Sequence, residues 1–405
     1  AMPEVTEDYT PPAGIKYRAK IETAGVKTLN VQVALKNVRS MKVSELGTLR
    51  IHRTGALVPI GGSLMSVEEG YLLNSYQGIY LLDKGFKLIK QLFKNDIVFQ
   101  RDGKRGFFQL RTLLQSVYYD DAHKQIQGAY AVRGHEKNKS RTFLAFLPWD
   151  VLTAATEPLM EKDIADSIPL QGNLGYRVLF KFIPEGFIRG IPYSSRFYTN
   201  ELKGDTLCYF EPTHSPDYPP SGSGGSVRSG EPWHIYDYQG KTHICLAYDN
   251  TLYQLENAST LKAIYRLDFG SLQRADGQKV IGGSNVDDSY FVDRWLETDR
   301  HLFIKITKGY DSPNARKAKS VSLYSLIYDK RSGDFFALPP ENNSEKPEFP
   351  YLTADGEPNM SFYPDGVVGN IPYTCLDAMK MKEKHPDVLK GQDIPDDELI
   401  VLTIE

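Results

Sequence analysis

The chain has 405 residues, of which 41% are hydrophobic and 24% charged, so it can bury a sizeable core and shows no compositional mark of disorder. A formal net charge of −3 gives no basic face for a nucleic acid, and no apolar run approaches the ~20 residues that cross a bilayer as a helix. With 25 Tyr and 24 Pro, the composition leans towards strands joined by many turns.

Residues 1–42 read as an N-terminal extension whose alternating segments, Ile15 to Ile21 and Leu29 to Leu35, are expected to be strands packing on the main body. A first four-stranded unit runs from Leu64 to Phe93, punctuated by Glu68-Glu69-Gly70, Gln77-Gly78 and the turn inside Ile79 to Ile89. A second unit spans Leu113 to Phe146, and a short helix or connection falls between Pro148 and Ile168. Strands resume at Tyr176 to Phe182, Gly186 to Arg189 and Thr206 to Phe210. The Pro- and Gly-rich stretch Pro212 to Glu231 reads as a long loop. Further units occupy Trp233 to Phe269 and Tyr290 to Leu338, the latter with a polar insertion at Lys308 to Lys319. Cys375 to His385 is helical in pattern, and Leu399 to Ile404 is a closing strand that needs a partner. Strand–turn–strand units met again at Leu252 to Ile264 and Ser325 to Phe335 point to a radially repeated all-β architecture.

Four ordered passages carry a family resemblance: Val43 to Thr54, Gly78 to Phe86, Trp295 to Ile304 with Ser325 to Phe336, and Asp396 to Leu402. Together they resemble the uncharacterised six-bladed β-propeller proteins of Bacteroidetes, which are similar in shape to NHL-repeat propellers. The resemblance implies an all-β, six-bladed β-propeller over 43–405, with a short C-terminal helix before the closing strand. It also implies export, as a periplasmic or outer-membrane lipoprotein. Ala1 ahead of Met2 reads as a cloning remnant, so a signal segment is expected to be missing ahead of Pro3. The family supplies no catalytic residue to carry over.

Chemistry-bearing motifs are sparse. Gly240-Lys241-Thr242 lacks the opening glycine and the following helix of a phosphate loop, and reads as a hairpin turn. The eight His are dispersed without metal spacing, Asp287-Asp288 and Asp355-Gly356-Glu357 lack EF-hand spacing, and no cofactor or metal is expected. Cys208, Cys245 and Cys375 are far apart, read as buried thiols, with one disulfide open as the alternative in an oxidising compartment.

The remaining constellation is aromatic and flanks the long loop: Tyr193, Arg196, Phe197 and Tyr198 before it, Trp233, His234, Tyr236 and Tyr238 after it. Aromatic faces with polar tips suit sugar rings or peptide side chains, and equally suit packing between blades. Tyr193, Arg196, Tyr198, Trp233, His234 and Tyr236 are the candidate ligand-binding residues. The expected function is non-catalytic: a monomeric envelope protein binding a glycan, peptide or protein partner at one channel end. A glycan hydrolase or lyase with groups gathered from several blades, and a protein–protein scaffold, are the alternatives.

Overall fold

A computed structural model describes residues 14–58, 61–102, 105–133, 140–170, 179–191, 196–212, 233–246, 249–272, 287–310, 312–340 and 347–405. Six antiparallel sheets form the blades of a β-propeller. From the inner strand outwards, blade 1 is Ser63–Val67, Gly70–Ser75, Gly78–Asp83 and Leu88–Lys94. Blade 2 is Arg105–Asp120, Gln125–Arg133, Ser140–Pro148 and Asp166–Leu170, with Asp96–Asp102 paired to the first half of its long inner strand. Blade 3 is Phe180–Ile183, Gly186–Gly190, Phe197–Asn200 and Thr206–Phe210. Blade 4 is His234–Tyr238, Lys241–Cys245, Thr251–Asn257 and Thr260–Asp268. Blade 5 is Tyr290–Glu297, His301–Lys308, Ser322–Asp329 and Phe335–Ala337. Blade 6 combines Gly366–Val368, Ile371–Asp377 and Glu398–Ile404 with the N-terminal strand Leu49–Leu57.

Shared blade 6 closes the ring. Glu398–Ile404 is buried at every position because it lies between two strands of its own sheet and two neighbouring blades. That environment selects the continuous apolar run of a fully covered strand rather than alternation. Separate apolar clusters fill the seams between successive blades. Phe197 and Phe210 pack with blade 4 in one, and Trp295 and Tyr328 pack with blade 4 in another. Leu73 and Phe86 of blade 1 meet Leu399 and Val401 of blade 6 in the closing seam.

The N-terminal segment is a strap along the outer edges. Lys16 and Tyr17 donate backbone hydrogen bonds to Thr206 and Leu207 of blade 3, and Lys20–Glu22 and Lys27–Asn30 pair in parallel with the outer strand of blade 4. Asn37 and Arg39 bond to Ala337 of blade 5, and Met41 and Val43 bond to Thr353. The strap thereby pairs edges that would otherwise present open backbone groups.

Two sequence expectations are corrected locally, and a third is filled in. Leu29 to Leu35 is not one strand: at Asn30 the chain turns into the helix Val31–Lys36, because the Asn30 side chain accepts from Val33 N at 3.1 Å and caps it. Cys375 belongs to a strand, and the helix is Ala378–Lys384, started by Asp377, which accepts from Lys380 N at 2.8 Å. Within Lys308 to Lys319, Ser312 caps a short helix, Pro313–Lys317. The loop expected at Pro212 to Glu231 lies, from residue 213 on, outside the described residues.

Candidate functional site in the central channel

The inner strands of all six blades surround a cavity of about 890 Å³. Side chains on an inner strand point sideways into the two seams, so the channel is lined by strand edges, turns and the tips of seam residues. The strand His234–Tyr238 shows this. Tyr236 and Tyr238 point to blade 5, where their hydroxyls reach Glu297 and Asp299, while Asp237 points to blade 3 and meets Lys181 Nζ at 2.7 Å.

A polar network fills the blade 4–5 side of the channel. Glu297 is 4% exposed. Its Oε1 accepts from the Tyr236 hydroxyl at 2.9 Å, and its Oε2 accepts from Lys330 Nζ at 2.5 Å. Lys330 also donates to the Thr298 carbonyl at 2.7 Å and sits 4.5 Å from the centre of the Tyr238 ring. His243 stacks on Tyr236 with the rings 5.1 Å apart and its Nε2 3.7 Å from Glu297. Burial, reinforced by Glu297, holds the Tyr236 phenol well above its usual range. Burial and the bond to Asp299 raise that of Tyr238. Burial lowers the pKa of His243 against the pull of Glu297.

One mouth of the channel is built from three neighbouring turns that follow inner strands. Gln239 and Gly240 have φ of 49° and 71°, and Gly369 and Asn370 have φ of 51° and 64°, the double left-handed pattern of tight hairpins. Asp299 lies between them. Tyr238 donates to Asp299 Oδ1 at 2.8 Å, Gln239 Nε2 donates to the Tyr238 oxygen at 3.1 Å, and the Asp299 backbone N–H donates to Asn370 Oδ1 at 2.7 Å. Tyr238, Asp299 and Asn370 thus link blades 4, 5 and 6. The exposed Asn370 amide also presents an N–H pair. Elsewhere in the lining, Arg294 donates to the Asp365 carbonyl and Thr374 donates to the Asp365 carboxylate.

All six ionisable acidic and basic residues lining the described channel are therefore engaged: Lys181, Asp237, Arg294, Glu297, Asp299 and Asp365. Lys181–Asp237 and Glu297–Lys330 are ion pairs, and Arg294, Asp299 and Asp365 are held by neutral groups, so the wall offers fixed donors and acceptors beside phenol rings.

Of the residues singled out in the sequence, Tyr236 reaches the channel lining, as does Tyr238. Trp233 is 5% exposed and packs in the blade 3–4 seam, and His234 lies in the blade 4–5 seam, its Nε2 3.2 Å from the Val292 carbonyl. Tyr198 stands two strands out from the channel on blade 3, opposite Arg189, and burial raises its pKa. Arg196 leads into that strand, its carbonyl accepting from Ile191 N at 2.9 Å. Tyr193 lies outside the described residues. Sequence reasoning missed Glu297, Asp299, Lys330, His243 and Asn370. The one local signal was a glutamate ending the apolar strand Tyr290–Glu297, followed at once by a turn.

Gly240-Lys241-Thr242 is part of a hairpin, with Tyr238 paired to Lys241. The three cysteines are free thiols, and burial pushes Cys208 to about 11 and Cys375 to about 12. Among the described residues no cluster of His, Cys, Asp and Glu is placed to hold a metal ion, and no helix is long and apolar enough to cross a membrane.

A family model, the domain of unknown function DUF4933, matches residues 12–387. The chain belongs to the DUF4933 family. A crystal structure of a putative exported protein from Bacteroides fragilis aligns with a TM-score of 0.60 at 12% identity, covering 94% of this chain and 99% of that one, and shares the fold. Looser alignments include a puromycin-hydrolyzing peptidase of Mycobacterium tuberculosis, with a TM-score of 0.36 at 12% identity over 82% of this chain and 44% of that one. Another is a virginiamycin B lyase of Staphylococcus aureus, at 0.29 and 10% identity over 77% and 100%. No curated protein matches the chain.

Proposed function

We propose that this DUF4933 protein is a non-catalytic binding protein of the bacterial envelope that takes a neutral, hydroxyl-rich ligand, a glycan, at the channel mouth formed by Tyr238, Gln239, Asp299 and Asn370. The observation that carries the reading is the engagement of all six charged lining residues with protein partners. A charged ligand would compete with the Lys181–Asp237 and Glu297–Lys330 ion pairs, whereas sugar hydroxyls can bond to the remaining lone pairs and amide hydrogens beside the phenol rings. Export, with a lipid anchor to the outer membrane or a periplasmic home, belongs to the same proposal. It is supported by the resemblance carried by Val43 to Thr54 and the later passages, and by the shared fold of the putative exported protein of Bacteroides fragilis.

The rival is a glycan hydrolase or lyase, since Asp237, Glu297, Asp299 and Asp365 are four carboxylates in one cavity. The engaged state of Glu297, held by an ammonium and a phenol, favours binding over catalysis. A glycan array probed with the folded protein, followed by calorimetry on the best hit, tests the reading. Saturable binding weakened at least tenfold by Tyr238→Ala is expected. A blank array, or a variant that binds as well as the parent, would reject it.

A further inference from the structure

The mouth of Tyr238, Gln239, Asp299 and Asn370 takes up one side of a cavity of about 890 Å³. Sites that enclose a drug-sized ligand measure about 300–1,000 Å³, so the cavity has room for more than one sugar ring. Its opposite wall comes from blades 1 and 2. There Asn74, Ser116 and Tyr118 line the cavity, each half-buried, and among the described residues their side-chain polar groups have no hydrogen-bond partner. Asn95, in the seam between the same blades, shows the contrast. Its Oδ1 accepts from Leu114 N at 3.0 Å and its amide donates to the Tyr76 carbonyl at 3.0 Å, so its bonds fasten blade 1 to blade 2. Asn74 follows Leu72 by two residues, on the strand face that packs on blade 2, and its amide is left for the cavity.

The backbone of this wall is irregular at the same place. Gln127 faces Tyr118 and Ala129 faces Gln115, so Ser116 and Val117 together oppose Gly128, a β-bulge in the inner strand of blade 2. Ser116 has a φ of 48°, in the left-handed region that a serine seldom occupies, and a Cβ on Gly128 would overlap the Leu114 side chain. Bulges and such residues re-aim side chains and gather at binding sites. Tyr118 stacks on Phe182 of blade 3 with the rings 6.2 Å apart, and burial raises its pKa, so the phenol stays a neutral donor. Of the acids near Tyr118, Asp237 is paired with Lys181 at 2.7 Å and Asp120 with His123 at 2.7 Å, while Glu185 stands outside the cavity lining.

We infer that Asn74, Ser116 and Tyr118 form a second sugar subsite, so that the protein selects a neutral oligosaccharide, spanning the cavity from the mouth to blades 1 and 2, over a single sugar. The inference rests on the glycan reading above and adds to it the length of the ligand and the residues that read that length. Asn74 offers two amide donors and an acceptor, Ser116 a hydroxyl, and Tyr118 a hydroxyl on a ring that Phe182 holds in place. These are neutral groups that match sugar hydroxyls, which recur from one unit of an oligosaccharide to the next.

The test is calorimetry of the full chain with neutral gluco-, manno- and galacto-oligosaccharides of one to four sugars. In the series that binds, affinity should rise at least tenfold from one sugar to three. The double variant Asn74→Ala/Tyr118→Phe, which keeps the ring on Phe182, should lose most of that gain, roughly tenfold at three sugars. Ser116→Gly, which the left-handed backbone favours, is the second probe if the double variant unfolds, and should lose a smaller part of the gain. Tyr238→Ala should weaken binding at every length. A single sugar that binds as tightly as its trimer, or variants that weaken all lengths alike or none, would overturn the inference and leave the mouth alone as the glycan site. Absence of binding by all three series would overturn it as well, and together with a blank array would reject the glycan reading too.

Discussion

At the scale of single residues, stability and the candidate site share the Glu297–Lys330 pair. Removing the ammonium leaves a buried carboxylate with only the Tyr236 hydroxyl and His243 near it. Lys330→Met should therefore cost about 3 kcal/mol in urea unfolding, and adding Glu297→Gln should recover a large part of that cost. A second prediction follows from His301, whose pKa burial lowers from 6.5 to about 4 despite the nearby Asp329. The unfolded chain takes up this proton near pH 6.5 while the folded chain resists it to about pH 4. The contribution is complete above pH 6.5 and is lost as the pH falls through that window. His301→Gln should remove about 2–3 kcal/mol of the stability change between pH 7 and pH 4, read from unfolding midpoints. Neither group was legible in the sequence. Glu297 and Lys330 meet only when the strands of blade 5 pair, and His243 joins them only when blade 4 packs against it. In His234 to Tyr238, in contrast, the two opposite faces follow directly from the residue order, because a strand fixes them at a period of two residues.

At the scale of elements, the hairpin pattern was the readable part. The strands of blades 1 and 4 fall close to where turn residues bound the apolar runs, since Gly and Asx turns restrict the backbone locally. Gly186 shows why such positions are fixed. It has a φ of 151°, and an added Cβ would overlap the carbonyl of Asn200 on the adjoining strand. Gly186→Ala should destabilise the fold by about 2–3 kcal/mol, measurable as a lowered midpoint with an unchanged slope in denaturant. The elements that were misread depend on caps and edges. Asn30 and Asp377 each switch an alternating or mixed pattern into a helix through one side-chain bond, and Asp166–Leu170 has too few apolar residues to announce itself as an outer strand.

At the scale of the whole molecule, closure joins the two ends of the described fold: Leu49–Leu57 completes the sheet of Glu398–Ile404. A chain truncated after Asp397 loses the strand between Leu49–Leu57 and Ile371–Asp377, together with Ile400 and Leu402 of the blade 5–6 core. It should show no cooperative thermal transition by calorimetry, because opening the ring exposes seams on both sides. The need for such a shared blade could be read from the strong final strand alone, whereas the ligand could not, since the mouth is assembled from turns of three blades. The central claim is that this mouth binds a glycan and leaves it intact. The most direct measurement is prolonged incubation of the protein with its best array glycan, with binding followed by calorimetry and the sugar recovered for mass spectrometry, alongside the Tyr238→Ala variant. Saturable binding lost in the variant, with the glycan recovered at its original mass, is the expected result. Cleaved or unsaturated products from the parent protein would contradict it and make the channel an active site.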